Sequence, residues 1–437
     1  MYDKYSFGVE DGQGDISSCR DEWLRVEVER LKESLEDMYE ELMKEGIEFE
    51  ELEDRFREVF MELGRVCLER FLEILTKRYG YIGRSKECEC GGELEFHSYR
   101  SKEIVTLLGV VRVIRSYYYC RSCGSSLIPF DECNAVKGVS FSVLVRKIVT
   151  KLGSYLTFRE SSSILRELGI QISDSQLRRF CEGFGDYVSD EVSSGDVLVG
   201  KGEIEKDMYI EADGTEVRTT SGWKEVKLGS IFDKDKLKIS YVGSFGDCEV
   251  FGDILWRGSK VLGVERSKRV IVIADGAKWI WNMVLTNYPG CIEIVDFYHA
   301  CEHLWDIGKA LYGEGSQECK DWVEGEVVKL KTGEIETVLD DLRSLKGVKA
   351  DLDELLERQI GYFSGNKDRM RYKDFKDKGL FIGSGVVESG CKHVVGLRLK
   401  RSGMRWSIEN AESILQLRIA SLNGSFNEYW NRYKKAV

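Results

Sequence analysis

No apolar run among the 437 residues approaches the roughly 20 that cross a bilayer, so no membrane span is expected. The amino terminus, MYDKYSFGVEDG, has neither the basic start nor the apolar centre of a signal peptide, and a cytoplasmic protein is expected. An even set of cysteines is missing too. Thirteen cysteines in such a chain argue against a disulfide framework and for metal ligation or buried thiols. Two prolines stand where average usage of about 5% would supply roughly twenty, a shortage for which the sequence offers no physical reason.

Net positive charge is also lacking, but its location matters more than its sum. The chain carries a formal −12. Counting Lys and Arg against Asp and Glu, residues 1–60 alone sum to −12, so the remaining residues are neutral as a group. Within them residues 91–180 sum to +5 and residues 391–437 to +6. Binding to a polyanion depends on local potential, so a low overall pI does not exclude DNA.

The length suits about three domains. Residues 21–79 are charged and helical. Leu24, Val28, Leu31, Leu35, Met38 and Leu42 step by fours and threes, as a seam facing a partner helix does, and Gly46 marks a break before a second helix. The seam fits a hairpin on its own chain as well as dimerisation. Next, Cys88 and Cys90 precede a strand-rich stretch that ends at Cys120 and Cys123, the layout of a zinc ribbon with four thiolate ligands. The first pair has a one-residue spacer, tighter than a usual zinc knuckle, which leaves His97 or Cys133 as substitute ligands and buried free thiols as the alternative.

Residues 139–188 predict three short helices. Thr157 with Glu160 and Ser173 with Gln176 form capping boxes, and Gly169 ends the middle helix. The short turn from Gly169 to Ser173 fits a helix-turn-helix, with Ser175, Gln176, Arg178 and Arg179 on the first turns of a recognition helix. Helix pairs of this kind also occur in proteins that never touch DNA.

Beyond a linker, Met208–Thr219, Lys224–Phe232 and Leu237–Gly243 predict a three-stranded meander, followed by a helix near Phe251–Trp256. Val270–Ala274 is a β-branched run without alternation, as in a strand covered on both faces, and it stops at Asp275-Gly276. A helix, a Pro289-Gly290 turn and a second apolar run lead to Asp296, then to a helix carrying His299 and His303. Strand, crossover and strand imply parallel neighbours, with both aspartates at one carboxyl edge, where open α/β sheets place their sites. Carboxylates so held repel each other, and a divalent cation relieves the repulsion. Asp-Gly is also a common turn dipeptide, so either aspartate alone reads first as punctuation, and it is the company of the motif that favours a site. Residues 313–379 are charged and helical. GSGVVESG at 383–390 follows, with Glu388 at a helix start in a basic stretch holding Lys392, Arg398, Lys400, Arg401 and Arg405. A carboxylate there is either salt-bridged or a metal ligand in a groove that grips a polyanion.

Four words in order, ADGA-WIW at 274–281, DFYHA-EHLW at 296–305, GSG-VES at 383–389 and R-GMRW at 401–406, carry a family resemblance. From Met208 to Leu422 the chain resembles the DDE transposases of bacterial and archaeal insertion sequences, in the Mutator-like branch and the Kra-type group. Residues and resemblance together predict a multidomain α+β and α/β protein: helical residues 1–80, which lie outside the motif-bearing match, then a zinc-ribbon-like β module at 81–136 and a helix-turn-helix with linker at 137–200, over which the resemblance is weaker. An RNase H-like catalytic core would occupy 201–312 and 380–437, interrupted by an all-α insertion at 313–379. The resemblance implies Asp213, Asp275 and Glu388 as a catalytic triad holding two Mg²⁺ (or Mn²⁺) ions, with Asp296 and His299 as the accompanying signature. His299 then contacts the scissile phosphate, fixes Asp296, or packs in the core. Trp279, Trp281 and Trp406 stack on a displaced base or fill the core. The implied partners are transposon-end and target DNA and further copies of the chain as a homodimer or higher oligomer, nucleoid-associated when DNA-bound. A domesticated non-cutting relative, or an RNase H-fold nuclease without strand transfer, remains the alternative.

Overall fold

The computed structural model describes residues 16–44, 46–200, 202–235, 238–348 and 352–436. The amino-terminal stretch 1–12, in which no signal peptide is expected, and Leu237 of the third meander strand lie outside the described residues. The chain divides into two compact units, one of residues up to 149 with 158–177, the other of 150–157 with 178–436. The division passes through two helices, Val143–Gly153 and Asp174–Ser193.

In the first unit, helices Ile16–Lys44 and Phe49–Tyr79 flank Gly46, whose φ of +74° suits glycine. Trp23 meets Phe71 edge-on and Arg55 Nη2 pairs with Glu41 Oε1 at 3.1 Å, so the two run antiparallel as a hairpin. The seam divides accordingly. Met38 is buried and Leu31 and Leu35 are half-buried, whereas Leu24, Val28 and Leu42 stay exposed. An antiparallel sheet follows, in the order β1 (Ser85–Glu87), β2 (Glu93–Thr106), β3 (Gly109–Cys120), β4 (Ser126–Leu127). Its inner face places Ile104, Val111 and Val113 against Phe130, Val136 and Leu68, Leu72 and Leu75 of the second helix.

Helix Phe158–Glu167 ends at Gly169 (φ +84°), and the Ser173 hydroxyl accepts from Gln176 N at 3.2 Å to open Asp174–Ser193. The Ser162 hydroxyl donates to Asp174, and Leu165, Ile170, Ile172 and Leu177 are buried around the turn.

The second unit is built on a five-stranded sheet in the order β7-β6-β5-β8-β9, with β5 Asp207–Thr219, β6 Gly222–Asp233, β7 Ile239–Ser244, β8 Arg269–Ala274 and β9 Ile292–Val295. The meander pairs are antiparallel, while β5–β8 and β8–β9 are parallel. On one face, Gly229 of β6 lets Leu255 and Phe251 of helix Cys248–Val261 approach closely. On the other, Gly243 of β7 meets Ile419 of helix Ile408–Leu422. In β8, Ile271, Val272, Ile273 and Ala274 are all buried, so both faces of the strand are covered and the run shows no alternation. Helices Gln317–Thr332, Ile335–Ser344, Asp353–Asn366 and Tyr372–Asp377 lie between β9 with its helix and the segment carrying Glu388. Among the described residues, no helix is long and apolar enough to cross a membrane.

Candidate functional site

Asp213 sits in β5, and Asp275 is the first residue past β8, the parallel neighbour of β5. Asp213 Oδ1 accepts from Gly214 N at 2.7 Å and Asp275 Oδ1 from Ala277 N at 2.9 Å, so in each the first oxygen is tied to a backbone amide one or two residues on. Burial pushes the Asp213 carboxyl above its usual range, and the charge of Asp275 adds to the effect. The Cys391 thiol approaches Asp213 Oδ2 at 3.6 Å, and burial next to that carboxylate pushes the thiol up to about 12. His299 is near enough to Asp213 to favour its charged form, and its Nδ1 lies 3.2 Å from Glu302.

Glu388 lies on the helix Gly385–Gly390, which continues through a π-helical segment Cys391–Gly396 to Leu399. Such segments often accompany functional sites. Glu388 is exposed and its Oε1 takes Lys392 Nζ at 2.6 Å. The three carboxylates do not converge within 4.8 Å of one another, a spacing reached among the described residues only by a cysteine group. Ligands shared between two ions about 4 Å apart need not meet at one point.

Asp296 is placed differently from the expectation that it acts chemically. Its Oδ1 caps helix Phe297–Tyr312, accepting from Tyr298 N at 2.6 Å and His299 N at 3.0 Å. Its Oδ2 accepts from Ser384 N at 2.6 Å and from the Ser384 hydroxyl. Four donors leave this buried carboxylate occupied with holding backbone.

Three side chains at the site escaped sequence reading. Glu211, 1% exposed, lies two residues before Asp213 on the same strand face and accepts from Val387 N at 2.7 Å. A glutamate in the apolar run MYIEA was the available signal. Cys391 follows the GSGVVESG word directly. Tyr362, from the helical insertion, donates to the Asp275 carbonyl at 3.2 Å and packs on His303 with centroids 3.9 Å apart and the rings tilted by 32°. A Cβ on Gly276 would stand 2.7 Å from the Tyr362 ring, so only glycine fits that turn. No local signal links a tyrosine to a strand end 87 residues away.

The basic stretch separates into surface and core. Lys392, Arg401 and Arg405 are exposed, and Lys400 donates to Thr215 on the strand face of Asp213. Arg398 corrects the expectation of a phosphate contact: it is fully buried, its Nε donating to Gly153 O at 2.9 Å and its guanidinium 5.3 Å from the Trp406 ring centroid. A cation so enclosed holds the core. Arg398→Ala should cost about 1.5–3 kcal/mol, the range for hydrogen bonds to charged groups, and lower the thermal midpoint, whereas Arg405→Ala should leave it unchanged. Trp281 and Trp406 are buried, and Trp279 is half-buried against Phe251, so none is a free stacking platform. In the helix Asp174–Ser193, Ser175, Arg178 and Arg179 are exposed and Gln176 is half-buried.

In the first unit, Cys88, Cys90, Cys120 and Cys123 bring their sulfurs within 4.8 Å of one another. Cys88–Cys123 and Cys90–Cys120 are each 3.7 Å apart, close to the roughly 3.8 Å edge of a tetrahedron with metal–sulfur bonds of about 2.3 Å. The one-residue spacer works because Gly91 turns with φ +82° and Gly92 lacks a Cβ that would stand 2.7 Å from the Ser122 hydroxyl. Hydrogen bonds from Ser125 bring the Cys123 thiol down to about 6. At Cys90 a backbone bond at Gly92 favours the thiolate, but the other three cysteines outweigh it and push the thiol up to about 12. Deprotonated together, four sulfurs so close would repel one another, and a cation would relieve the repulsion. Neither His97 nor Cys133 joins the group.

The fold and these clusters define a mixed α+β protein with an acidic sheet edge and a separate four-cysteine cluster. The chain belongs to the uncharacterised protein family UPF0236, whose model matches residues 42–435. It is 25% identical over 395 residues to a UPF0236 protein in the vanSb 3' region of Streptococcus gallolyticus, covering 85% of this chain and 82% of that one. It is 24% identical over 423 residues to a UPF0236 protein of Caldanaerobacter subterraneus subsp. tengcongensis whose name joins eleven locus designations, covering 89% and 80%. Among solved structures it is similar to the Drosophila P element transposase strand transfer complex, at 10% identity and a TM-score of 0.26, covering 70% of this chain and 84% of that chain. A likeness that distant carries no argument about function.

Proposed function

We propose that the chain is a DDE transposase of the Kra-type group, with an RNase H-like core that cleaves and joins DNA at the ends of an insertion sequence. The observation that carries the reading is the meeting of Asp213 and Asp275, from adjacent parallel strands, at one sheet edge beside the helix bearing Glu388. The mutual charge of the two aspartates suits a divalent cation. A relative whose name joins eleven loci of one genome supports the reading, since repeated copies are what transposition leaves behind.

In this reading Asp213, Asp275 and Glu388 hold two Mg²⁺ ions, which when bound activate the attacking oxygen and stabilise the leaving one. Glu388 must first release Lys392, which is then free to meet a phosphate. Lys400 sits near enough to Asp213 to do the same, with Arg401 and Arg405 gripping the backbone further out. Asp296 keeps a structural part. The four cysteines hold a structural zinc in a ribbon-like module, and the helix beginning at Asp174 reads end sequence. The exposed residues Leu24, Val28 and Leu42 suit association with a second copy.

The test is incubation of the full chain with Mg²⁺ and DNA bearing the ends that flank its gene. Cleavage at the ends with joined products supports the transposase. Cleavage without joining favours a nuclease, and binding alone a non-cutting relative. In the same assay Arg178→Ala should reduce discrimination between end and random DNA, by about 1–3 kcal/mol if it contacts a base. Unchanged discrimination would remove the reader role from this helix.

A further inference from the structure

The helix that carries Glu388 has no cap of its own. Its N-cap residue is Ser384, whose side chain accepts nothing from the first turn. Helix starts leave backbone N–H groups without intrahelical partners, and a buried start must find acceptors elsewhere. Here they come from two distant carboxylates. Asp296, at the end of β9, accepts from Ser384 N at 2.6 Å and from the Ser384 hydroxyl. Glu211, in the middle of β5, accepts from Val387 N at 2.7 Å, the donor that an N-cap side chain would ordinarily satisfy. Both carboxylates are buried, at 6% and 1% exposure.

The surrounding glycines complete the arrangement. A Cβ on Gly383 would stand 2.9 Å from the Tyr298 ring, and one on Gly390 would stand 2.8 Å from Tyr241 and 3.0 Å from Leu228. Bare backbone therefore lets the segment lie close to helix Phe297–Tyr312 at one end and to β6 and β7 at the other. Glu388 projects outward between two anchored ends.

We infer that Glu211 and Asp296 are positioning residues that cap the Glu388 helix in place of its own side chains and so fix Glu388 relative to Asp213 and Asp275. Glu211 lies two residues before Asp213 on one strand face, so the strand that supplies one acidic residue also locates the helix that supplies another. The part of this inference that concerns metal rests on the transposase reading; the capping does not.

The experiment uses the full chain and two readouts. Hydrogen exchange reports the capping directly. Glu211→Ala should speed amide exchange across 384–390 at least tenfold while helix Ile408–Leu422 stays protected, and Glu211→Gln, which keeps an acceptor oxygen, should remain within about threefold of the parent. Asp296→Asn supplies a second variant. Asparagine caps as well as aspartate, so helix Phe297–Tyr312 stays protected, but its amide turns a donor toward Ser384 N and residues 384–387 loosen. Mn²⁺ affinity, read by calorimetry without DNA, should fall 10- to 100-fold in Glu211→Ala and Asp296→Asn, the usual effect of losing an outer-shell partner, and little in Glu211→Gln. Exchange at 384–390 unchanged in both Glu211→Ala and Asp296→Asn, or equally fast in Glu211→Gln and Glu211→Ala, would overturn the capping. Should Glu211→Ala fail to fold, Asp296→Asn decides. Altered exchange in a parent that binds no Mn²⁺ leaves the capping standing and removes the metal reading instead.

Discussion

Asp275→Asn should lower Mg²⁺-dependent cleavage of element-end DNA by more than the 10- to 100-fold that losing an outer-shell partner costs, while leaving the metal-free protein as stable as the parent or more so. The two halves of this expectation have one cause. Asp275 Oδ1 accepts from Ala277 N, and an asparagine oxygen can do the same, so the turn survives. The negative charge is what disappears. That charge helps hold the Asp213 carboxyl above its usual range, and its loss relieves repulsion in the empty site. A cation would have used the same charge, so the variant should also lose the stabilisation that metal gives the parent, about 2.7 kcal/mol at a hundred times the dissociation constant. Glu388→Gln separates the effects further. Its side chain is 64% exposed and, among the described residues, bonded only to the exposed Lys392, so stability should hardly move while cleavage is lost. Cleavage at the parent rate in either variant, or an undiminished Mg²⁺ shift in Asp275→Asn, would sink the mechanism.

Removal of the metal proposed for the four cysteines should be the second large effect. The full chain should purify with about one equivalent of zinc in addition to any Mg²⁺ site. Structural zinc contributes roughly 10–16 kcal/mol of apparent folding free energy in isolated fingers, as much as the whole stability of a typical domain. The core beneath this cluster is small. Cys88 and Cys120 are themselves core residues beside Leu94 and Tyr118, with Ile82, Phe96 and Leu127 around them, so loss of a metal held there should expose this packing. Cys120→Ser, or a strong chelator, should therefore unfold residues 85–127, seen as loss of exchange protection across β2 and β3. Cys133→Ser, outside the cluster and exposed, is the control and should change nothing. Less than about half an equivalent of zinc, or a Cys120→Ser protein as protected as Cys133→Ser, would count decisively against the site.

Much of the local architecture was legible from residues alone, because local structure follows local pattern. The unalternating run Val270–Ala274 gave a strand buried on both faces, and the short crossover to Ile292 gave a parallel neighbour with an aspartate at each strand end. Ser173 capped Gln176 where the spacing placed it, and the cysteine pairs met despite the tight spacer because two glycines follow it. Tertiary structure decided what each polar atom faces. Arg398 and Arg401 stand three apart in one basic word, yet one is in the core and the other on the surface, since only the folded chain brings Gly153 O to Arg398. Asp275 and Asp296 look alike at the ends of their strands, but Ser384 claims the second oxygen of Asp296 alone. Glu211 finds Val387, and Tyr362 reaches the Asp275 carbonyl, across 176 and 87 residues of chain. Periodicity and turn chemistry act over a few residues, whereas the partner of a buried carboxylate is whatever the packing of distant segments delivers to it.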